Sequence, residues 1–165
     1  MAKVVFRESD HSYWLGEKQL ISVTQLLKKH GLSTDYSGVN PDVLQRAADK
    51  GNIVHKEIEE YAKNGEIGFT SELTDYIKIA EELGFVADDS EVILPWGDIP
   101  DSEIGDCFLA GTTDLIGFIG DAVALVDVKT TAKPDIKACA WQLSLYEHLY
   151  GTKFDKMYMF HLGKD

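Results

Sequence analysis

The chain has 165 residues, a formal net charge of −12, 44% hydrophobic residues and 27% charged residues. This composition is typical of a single globular domain, and no stretch approaches the roughly 18 apolar residues that a membrane-spanning helix needs. The acidity argues against a broad basic face for nucleic acid, although a local cleft that holds a divalent cation is itself rich in carboxylates. Two cysteines without metal-type spacing and an N-terminus without signal-peptide features predict a cytoplasmic protein.

The N-terminal segment predicts β-structure followed by a short helix. Residues 3–21 are expected to form a β-hairpin with its turn at Gly16-Glu17-Lys18. Ser22 is a typical N-cap residue, and the amphipathic helix that it starts is expected to end at Gly31.

A longer helix is predicted from Asn40-Pro41 to Asn64-Gly65. Gly51 lies inside it at a cost of about 1 kcal/mol relative to alanine, which indicates a close backbone approach or a bend. His55 and Glu59 are four residues apart and share a helix face. A lone histidine at such a position is usually just hydrogen-bonded, but here a carboxylate one turn away equally favours a metal ligand that Glu59 orients.

The rest of the chain predicts one helix, a series of strands, a last helix and a last strand. Residues 71–84 read as an amphipathic helix, and the acidic residues 97–105 are expected to form a loop. Strands are expected in SEVILPW, in CFLAG and TTDLIGFI as one strand broken at Gly111, in AVALVDVKT and in KMYMFHL, and a helix is expected from Pro134 to its stop at Gly151. The order helix, three strands, helix, strand implies an α/β protein with a mixed sheet and helices on both faces.

The run ALVDVKTT places two opposite charges, Asp127 and Lys129, in an apolar β-prone segment. Side chains two positions apart on a strand point to the same face, and burying them is costly unless they pair or bind an ion. For an isolated D-x-K, a structural salt bridge at the end of a sheet is the favoured explanation. The other motifs of the chain favour a functional role for this pair instead.

Four motifs occur in order along the chain. They are G-x-x-x-H-x-x-x-E (Gly51, His55, Glu59), G-x-x-D (Gly111, Asp114), D-x-K (Asp127, Lys129) and Q-x-x-x-Y (Gln142, Tyr146). Each is common by chance, but the ordered set resembles the PD-(D/E)xK nuclease superfamily, and within it the RecB-type exonuclease branch that includes phage exonucleases. The resemblance covers about residues 45–161.

The resemblance implies a fold and an activity. The fold is a restriction-endonuclease-like α/β core, a mixed central sheet flanked by helices in the order αβββαβ. One nuclease domain would span residues 1–165, with the core in 40–165 and an N-terminal hairpin and helix in 1–39. The activity is that of a metal-dependent deoxyribonuclease, with an exonuclease favoured that acts on DNA ends in recombination, repair or phage DNA processing.

The resemblance also assigns roles at the site, and Mg²⁺ or Mn²⁺ suits the chemistry because either ion stabilises charge on a phosphate and activates water. Asp114, Asp127, the backbone carbonyl of Val128 and His55 are expected to hold the metal. Lys129 is expected to orient or deprotonate the attacking water.

Three further residues are expected to support the reaction. Glu91 matches a carboxylate of the first core strand and is expected to act in catalysis or in the metal shell. Gln142 and Tyr146 are expected to contact the substrate or brace the site, with Glu59 in support. The alternative for Gln142 and Tyr146 is a pair on the helix surface beside Trp141.

The sequence departs from the family pattern in some respects. Thr113 replaces the proline of the superfamily name, which the RecB-type branch tolerates. Two cysteines do not supply the four-cysteine iron–sulfur site of some relatives. A helicase part is missing, so the domain is expected to be free-standing or to act with partners, and a missing C-terminal segment is left open.

The expected partners are DNA with double-stranded ends, a recombination or single-strand-annealing protein, and further copies of the chain. Some relatives form rings around DNA, which would let an acidic outside coexist with a basic channel; no membrane partner is expected. The net charge of −12 keeps an inactive module that binds nucleic acid or protein as an alternative. A structure-specific endonuclease and an RNA substrate also stay open.

Overall fold

The computed structural model describes residues 3–101 and 105–163 and contains two compact units that alternate along the sequence. The first unit comprises the segments up to Ser33, from Val92 to Thr113 and from Ile136 to Lys153. The second unit comprises the segments from Thr34 to Glu91, from Asp114 to Asp135 and from Phe154 onwards. These units do not test the predicted single domain, which stays a prediction. Within the described ranges, no helix is both long enough and apolar enough to cross a membrane.

The first unit is built on a five-stranded mixed sheet with the strand order β1-β2-β3-β6-β5. Strands β1 to β3 are antiparallel, β6 is parallel to β3, and β5 is antiparallel to β6. The strands are β1 (Val4–Arg7), β2 (Ser12–Leu15), β3 (Lys18–Ser22), β5 (Gly97–Asp101) and β6 (Gly105–Ala110), and the helices are α1 (Val23–Lys29) and α4 (Ile136–Tyr150).

The predicted N-terminal cap is confirmed. Gln25 N–H donates to Ser22 Oγ at 3.1 Å, and the Gln25 side-chain oxygen accepts from Ser22 N–H at 3.0 Å, which completes a capping box. The predicted hairpin over residues 3–21 is a three-stranded meander instead, because the chain already turns once between Arg7 and Ser12.

The second unit is built on a four-stranded mixed sheet with the order β4-β7-β8-β9. Strands β7 and β8 are antiparallel and are joined by a turn at Gly120-Asp121, and β8 and β9 are parallel. The elements are α2 (Pro41–Asn64), α3 (Ser71–Leu83), β4 (Phe85–Ile93), β7 (Thr112–Ile119), β8 (Ala122–Lys129) and β9 (Lys156–His161).

The main core lies on one face of this sheet. Strand residues 124, 126 and 128 of β8 alternate with residues that face the other side, and they pack against α2 and α3. The core side chains are Val54, Ile58, Leu73, Tyr76, Ala80, Phe85, Leu115, Ala124, Val126, Val128, Phe160 and Leu162. Residues 127 and 129 therefore project from the opposite face of β8.

Three predicted boundaries are wrong. Strand β4 begins at Phe85, five residues before the expected SEVILPW, so Glu91 lies near its end and not near its start. The expected loop over residues 97–105 contains β5 and the first residue of β6, because backbone pairing between them overrides the acidic composition; residues 102–104 lie outside the described chain. Helix α4 begins at Ile136, two residues after Pro134.

Candidate metal centre

Helix α2 positions the first residue of the site. Its start is capped by the Asn40 side chain, which accepts from Asp42 N–H at 2.8 Å, and its end is closed by Gly65 in the left-handed conformation. Both ends agree with the prediction. Val54 is fully buried and anchors the helix on the sheet, so that the next residue, His55, lies at the border of the buried face.

Three ligand-bearing side chains converge in the second unit. One ligand atom from each of His55, Glu91 and Asp114 lies within 4.8 Å of the others. His55 Nδ1 lies 3.4 Å from Asp114 Oδ1 and 3.9 Å from Glu91 Oε1. They come from α2, β4 and β7, elements that are distant in sequence.

Glu91 reaches the site through an unusual backbone conformation. Its φ angle is +49°, which is rare for a residue with a side chain and is strained by about 1–3 kcal/mol. Such strain persists where the surrounding structure imposes it, and it is concentrated at functional sites. The sequence predicted Glu91 at the site but gave no signal of this conformation.

The D-x-K pair lies on the neighbouring strand. Lys129 Nζ lies 2.9 Å from Asp127 Oδ2, and the Asp127 side chain is 5% exposed. Between them, the Val128 N–H donates to Asp114 Oδ2 at 2.7 Å, so that the backbone of β8 holds the carboxylate of β7. The expected role of the Val128 carbonyl as a ligand stays a prediction.

The charges of this cluster shift one another's pKa values. Burial opposes ionisation of Asp114, but the His55 hydrogen bond, the His55 charge and the Val128 N–H outweigh it and lower the Asp114 pKa. Burial also opposes the charge of His55, yet the hydrogen bond to Asp114 and the surrounding carboxylates raise the His55 pKa above its usual value.

The other two carboxylates hold their protons more tightly. Burial and the nearby Asp114 charge raise the pKa of Glu91 to about 7. The same two causes, in the same order, raise the pKa of Asp127 to about 7. Without a cation, the cluster thus carries more negative charge than its surroundings stabilise.

The donor set suits a divalent cation. Carboxylate oxygens are the preferred ligands of Mg²⁺ and Mn²⁺, and an imidazole nitrogen is compatible with Mn²⁺. His55, Glu91 and Asp114 supply two carboxylates and one imidazole within 4.8 Å, and a bound cation would relieve the repulsion that raises the Glu91 pKa. These three residues could therefore hold a metal ion.

Glu59 has partners that the sequence analysis missed. Its carboxylate lies 2.5 Å from Lys63 Nζ and 3.7 Å from Lys56 Nζ, and these lysines lower its pKa. Asp114 Oδ1 lies 3.4 Å from the His55 ring, and the expected role of Glu59 in orienting His55 stays a prediction. The i,i+4 spacing of Glu59 and Lys63 is a signal that could have indicated this pairing.

Gln142 and Tyr146 belong to the first unit. Gln142 Nε2 donates to Tyr146 Oη at 2.9 Å, and both side chains are buried, so the alternative of a surface pair beside Trp141 is wrong. The Tyr146 ring also explains a second motif residue, because a Cβ on Gly111 would lie 2.7 Å from Tyr146 Cε1. Gly111 is thus required for close packing, and the predicted contact with substrate stays a prediction.

Comparisons with known proteins identify no family. No protein-family model and no curated protein matches the chain. One solved structure, described as "Crystal structure of SSO0001", is similar with a TM-score of 0.43 and 16% sequence identity. The match covers 88% of this chain and 64% of the other, so the chain spans less than two thirds of that protein.

Proposed function

We propose that this protein is a metal-dependent nuclease of the PD-(D/E)xK type that hydrolyses DNA phosphodiester bonds, most readily from free ends. One observation carries the proposal. Three neighbouring strands, β4, β7 and β8, contribute Glu91, Asp114 and Asp127, and helix α2 adds His55 beside them. Carboxylates on adjacent strands can hold the metal ion that this chemistry uses, and a lysine beside them can stabilise the charge that develops on the phosphate.

The fold proposal follows from the same elements. Along the chain, a helix, β4, β7, β8, α4 and β9 follow the order αβββαβ of a restriction-endonuclease-like core, with β5 and β6 as an insertion between its first two strands. The antiparallel β7–β8 pair and the parallel β8–β9 pair give the mixed sheet that such a core requires.

His55, Glu91 and Asp114 would hold the cation, which supplies charge stabilisation at the phosphate and a lowered pKa for bound water. Asp127, 5% exposed, lies 2.9 Å from Lys129 Nζ and would hold the lysine in place, and its expected role as a further metal ligand stays a prediction. The Lys129 ammonium orients the attacking water and stabilises negative charge as it develops on the phosphate. The Val128 N–H keeps Asp114 facing the centre.

The net charge of −12 favours a second candidate, a module on the same fold that binds DNA or protein without cutting. The two candidates differ in their dependence on the site. A nuclease requires Asp127 and Lys129 for turnover, whereas binding by an inactive module is indifferent to Asp127→Ala.

The decisive experiment compares linear duplex DNA with covalently closed circular DNA in Mg²⁺ or Mn²⁺. Wild type is run beside Asp127→Ala, Lys129→Ala and a matched control, Lys137→Ala, an exposed lysine at the start of α4. We expect linear DNA alone to be degraded, EDTA and both site substitutions to reduce the rate at least 100-fold, and the control to leave it unchanged.

Cutting of the closed circle would assign an endonuclease instead. A folded wild-type protein that cuts no DNA with either metal would overturn the proposal. In that case, binding of the same DNA by wild type and by Asp127→Ala with equal affinity would establish the non-catalytic module.

A further inference from the structure

Three consecutive residues at the end of β8, residues 129–131, contact neighbouring elements. The Lys129 carbonyl accepts from Leu162 N–H at 2.9 Å. The Thr131 carbonyl lies 2.7 Å from His161 Nε2, and because a carbonyl only accepts, the imidazole donates this hydrogen bond. Between them, Thr130 Oγ1 lies against helix α2, 3.3 Å from where a Cβ on Gly51 would be.

His161 lies beside Lys129 in the sheet. The two residues are register partners in the parallel β8–β9 pair, as Asp127 and Met159 are two positions earlier. Phe160 and Leu162 belong to the core, so His161 projects from the opposite face, the face that also carries Asp127 and Lys129. The His161 imidazole thus connects β9 to the backbone of Thr131, two residues after Lys129.

Gly51 serves the same segment from the other side. A Cβ there would lie 3.3 Å from Thr130 Oγ1, which is tighter than most contacts of this kind, so Thr130 would have to shift by a few tenths of an ångström. The glycine costs about 1 kcal/mol in the middle of α2. Gly51 lies one helical turn before His55, at the point where α2 passes Thr130, the residue after the lysine.

We infer that His161 and Gly51 are positioning residues for Lys129, which together fix the strand end from which its ammonium acts. The inference rests on the proposed nuclease function, but neither residue belongs to the ligand group of His55, Glu91 and Asp114. Their loss therefore lowers turnover and leaves metal binding and substrate affinity intact. A rigid backbone is required because displacing a catalytic group by about 1 Å costs on the order of 100-fold in rate.

The test compares His161→Leu, which removes the donor, with His161→Gln, whose amide nitrogen can donate to the Thr131 carbonyl. Met157→Leu, on the same face of the same strand, is the matched control. Turnover and KM are measured on linear duplex DNA, and Mn²⁺ affinity and stoichiometry are measured by calorimetry. The stoichiometry gives the fraction of protein with an intact centre, so that partial unfolding is not mistaken for slow turnover.

We expect His161→Leu to lower kcat at least 10-fold, with KM and Mn²⁺ affinity within twofold of wild type. We expect His161→Gln to recover most of kcat and the control, Met157→Leu, to be unchanged. Hydrogen exchange in residues 130–135 is expected to accelerate in His161→Leu only. Normal kcat in His161→Leu, or equal impairment of the leucine and glutamine variants, would overturn the inference while the nuclease proposal stands. An inactive wild type would overturn both.

Gly51→Ala tests the positioning of the strand end independently if His161→Leu does not fold. Alanine raises helix propensity, so the melting temperature is expected to stay the same or rise while kcat falls at least fivefold, because the added methyl group displaces Thr130. A variant with wild-type turnover would contradict the role of Gly51.

Discussion

Glu91 combines two unfavourable features in one residue. Its backbone has a φ of +49°, and its carboxylate, 37% exposed, faces the charge of Asp114. A bound cation would compensate the repulsion, whereas the backbone strain gives only one advantage, the position of the carboxylate. This is the pattern of a residue retained for function at a cost in stability.

Replacing Glu91 is therefore expected to stabilise the metal-free protein. Glu91→Gly removes both the strain and the charge, whereas Glu91→Gln removes only the charge. We expect the melting temperature in EDTA to be highest for Glu91→Gly, lower for Glu91→Gln and lowest for the wild type. The affinity for Mn²⁺ is expected to be at least 10-fold weaker in both variants. A wild-type protein more stable than both variants in EDTA would contradict this account of Glu91.

The raised pKa values also predict how stability depends on pH. Glu91 and Asp127 have folded-state pKa values of about 7, above the usual values of 4.5 and 3.8, and the His55 pKa is raised as well. Between pH 4.5 and 7 the folded state binds more protons than the unfolded state, so these groups stabilise the fold at low pH and lose that contribution as the pH rises through about 7.

Metal-free protein should accordingly unfold at a lower temperature at pH 8 than at pH 6, as measured by thermal denaturation in EDTA. Glu91→Gln should flatten this dependence, and saturating Mn²⁺ should reverse it, because the cation binds the ionised carboxylates. The Asp114 pKa is lowered, so its contribution is lost only in acid below its ordinary range. Greater stability at pH 8 in EDTA would contradict the predicted coupling.

At the scale of elements, the connection between α2 and α3 is organised by one carboxylate. Glu57 accepts from Phe69 N–H at 2.7 Å, from Thr70 N–H at 3.2 Å and from the Thr70 hydroxyl. These hydrogen bonds outweigh the effect of burial and lower the Glu57 pKa. Gly68 is needed here, because a Cβ would overlap the Glu57 side chain.

Glu57→Ala is expected to lower the free energy of unfolding by about 1–2 kcal/mol, a range that allows for partial solvent exposure of the carboxylate. For a protein of this size that corresponds to roughly 2–4 °C per kcal/mol in melting temperature. Glu60→Ala, three residues further along the same helix, is the control and should change the melting temperature by less than 1 °C. Equal effects of the two substitutions would show that the connection is not held by Glu57.

The helices and strands show which sequence signals are sufficient to predict the limits of an element. Asn40, Pro41 and Gly65 determine the ends of α2 through local capping, so its limits could be predicted. Strand β5 contains Asp98 and Asp101, and its pairing with β6, which begins four residues after β5 ends, makes it a strand. Its acidic composition did not indicate that pairing.

The same distinction applies to the site. Spacing along α2 and β8 predicted that His55 and Glu59 share a face and that Asp127 and Lys129 pair. The convergence of His55 with Glu91 and Asp114 depends on three elements meeting in space, which the spacing alone does not encode. That part of the prediction came from the family resemblance.

In the whole molecule, the net charge of −12 has to be reconciled with the DNA substrate that we propose. A nuclease with this charge relies on local cation binding where the phosphate is cut, since it lacks the excess of lysine and arginine that drives broad, salt-dependent binding. The account therefore depends above all on whether the converging carboxylates and imidazole hold a metal ion.

That claim is tested most directly by electron paramagnetic resonance of bound Mn²⁺, which detects coupling to an imidazole nitrogen. We expect one tightly bound Mn²⁺ with a nitrogen ligand, coupling that disappears in His55→Gln and persists in His161→Gln, and binding that is weakened at least 10-fold in Asp114→Asn. Mn²⁺ that does not bind, or that binds without nitrogen coupling and is indifferent to His55→Gln and Asp114→Asn, would contradict it.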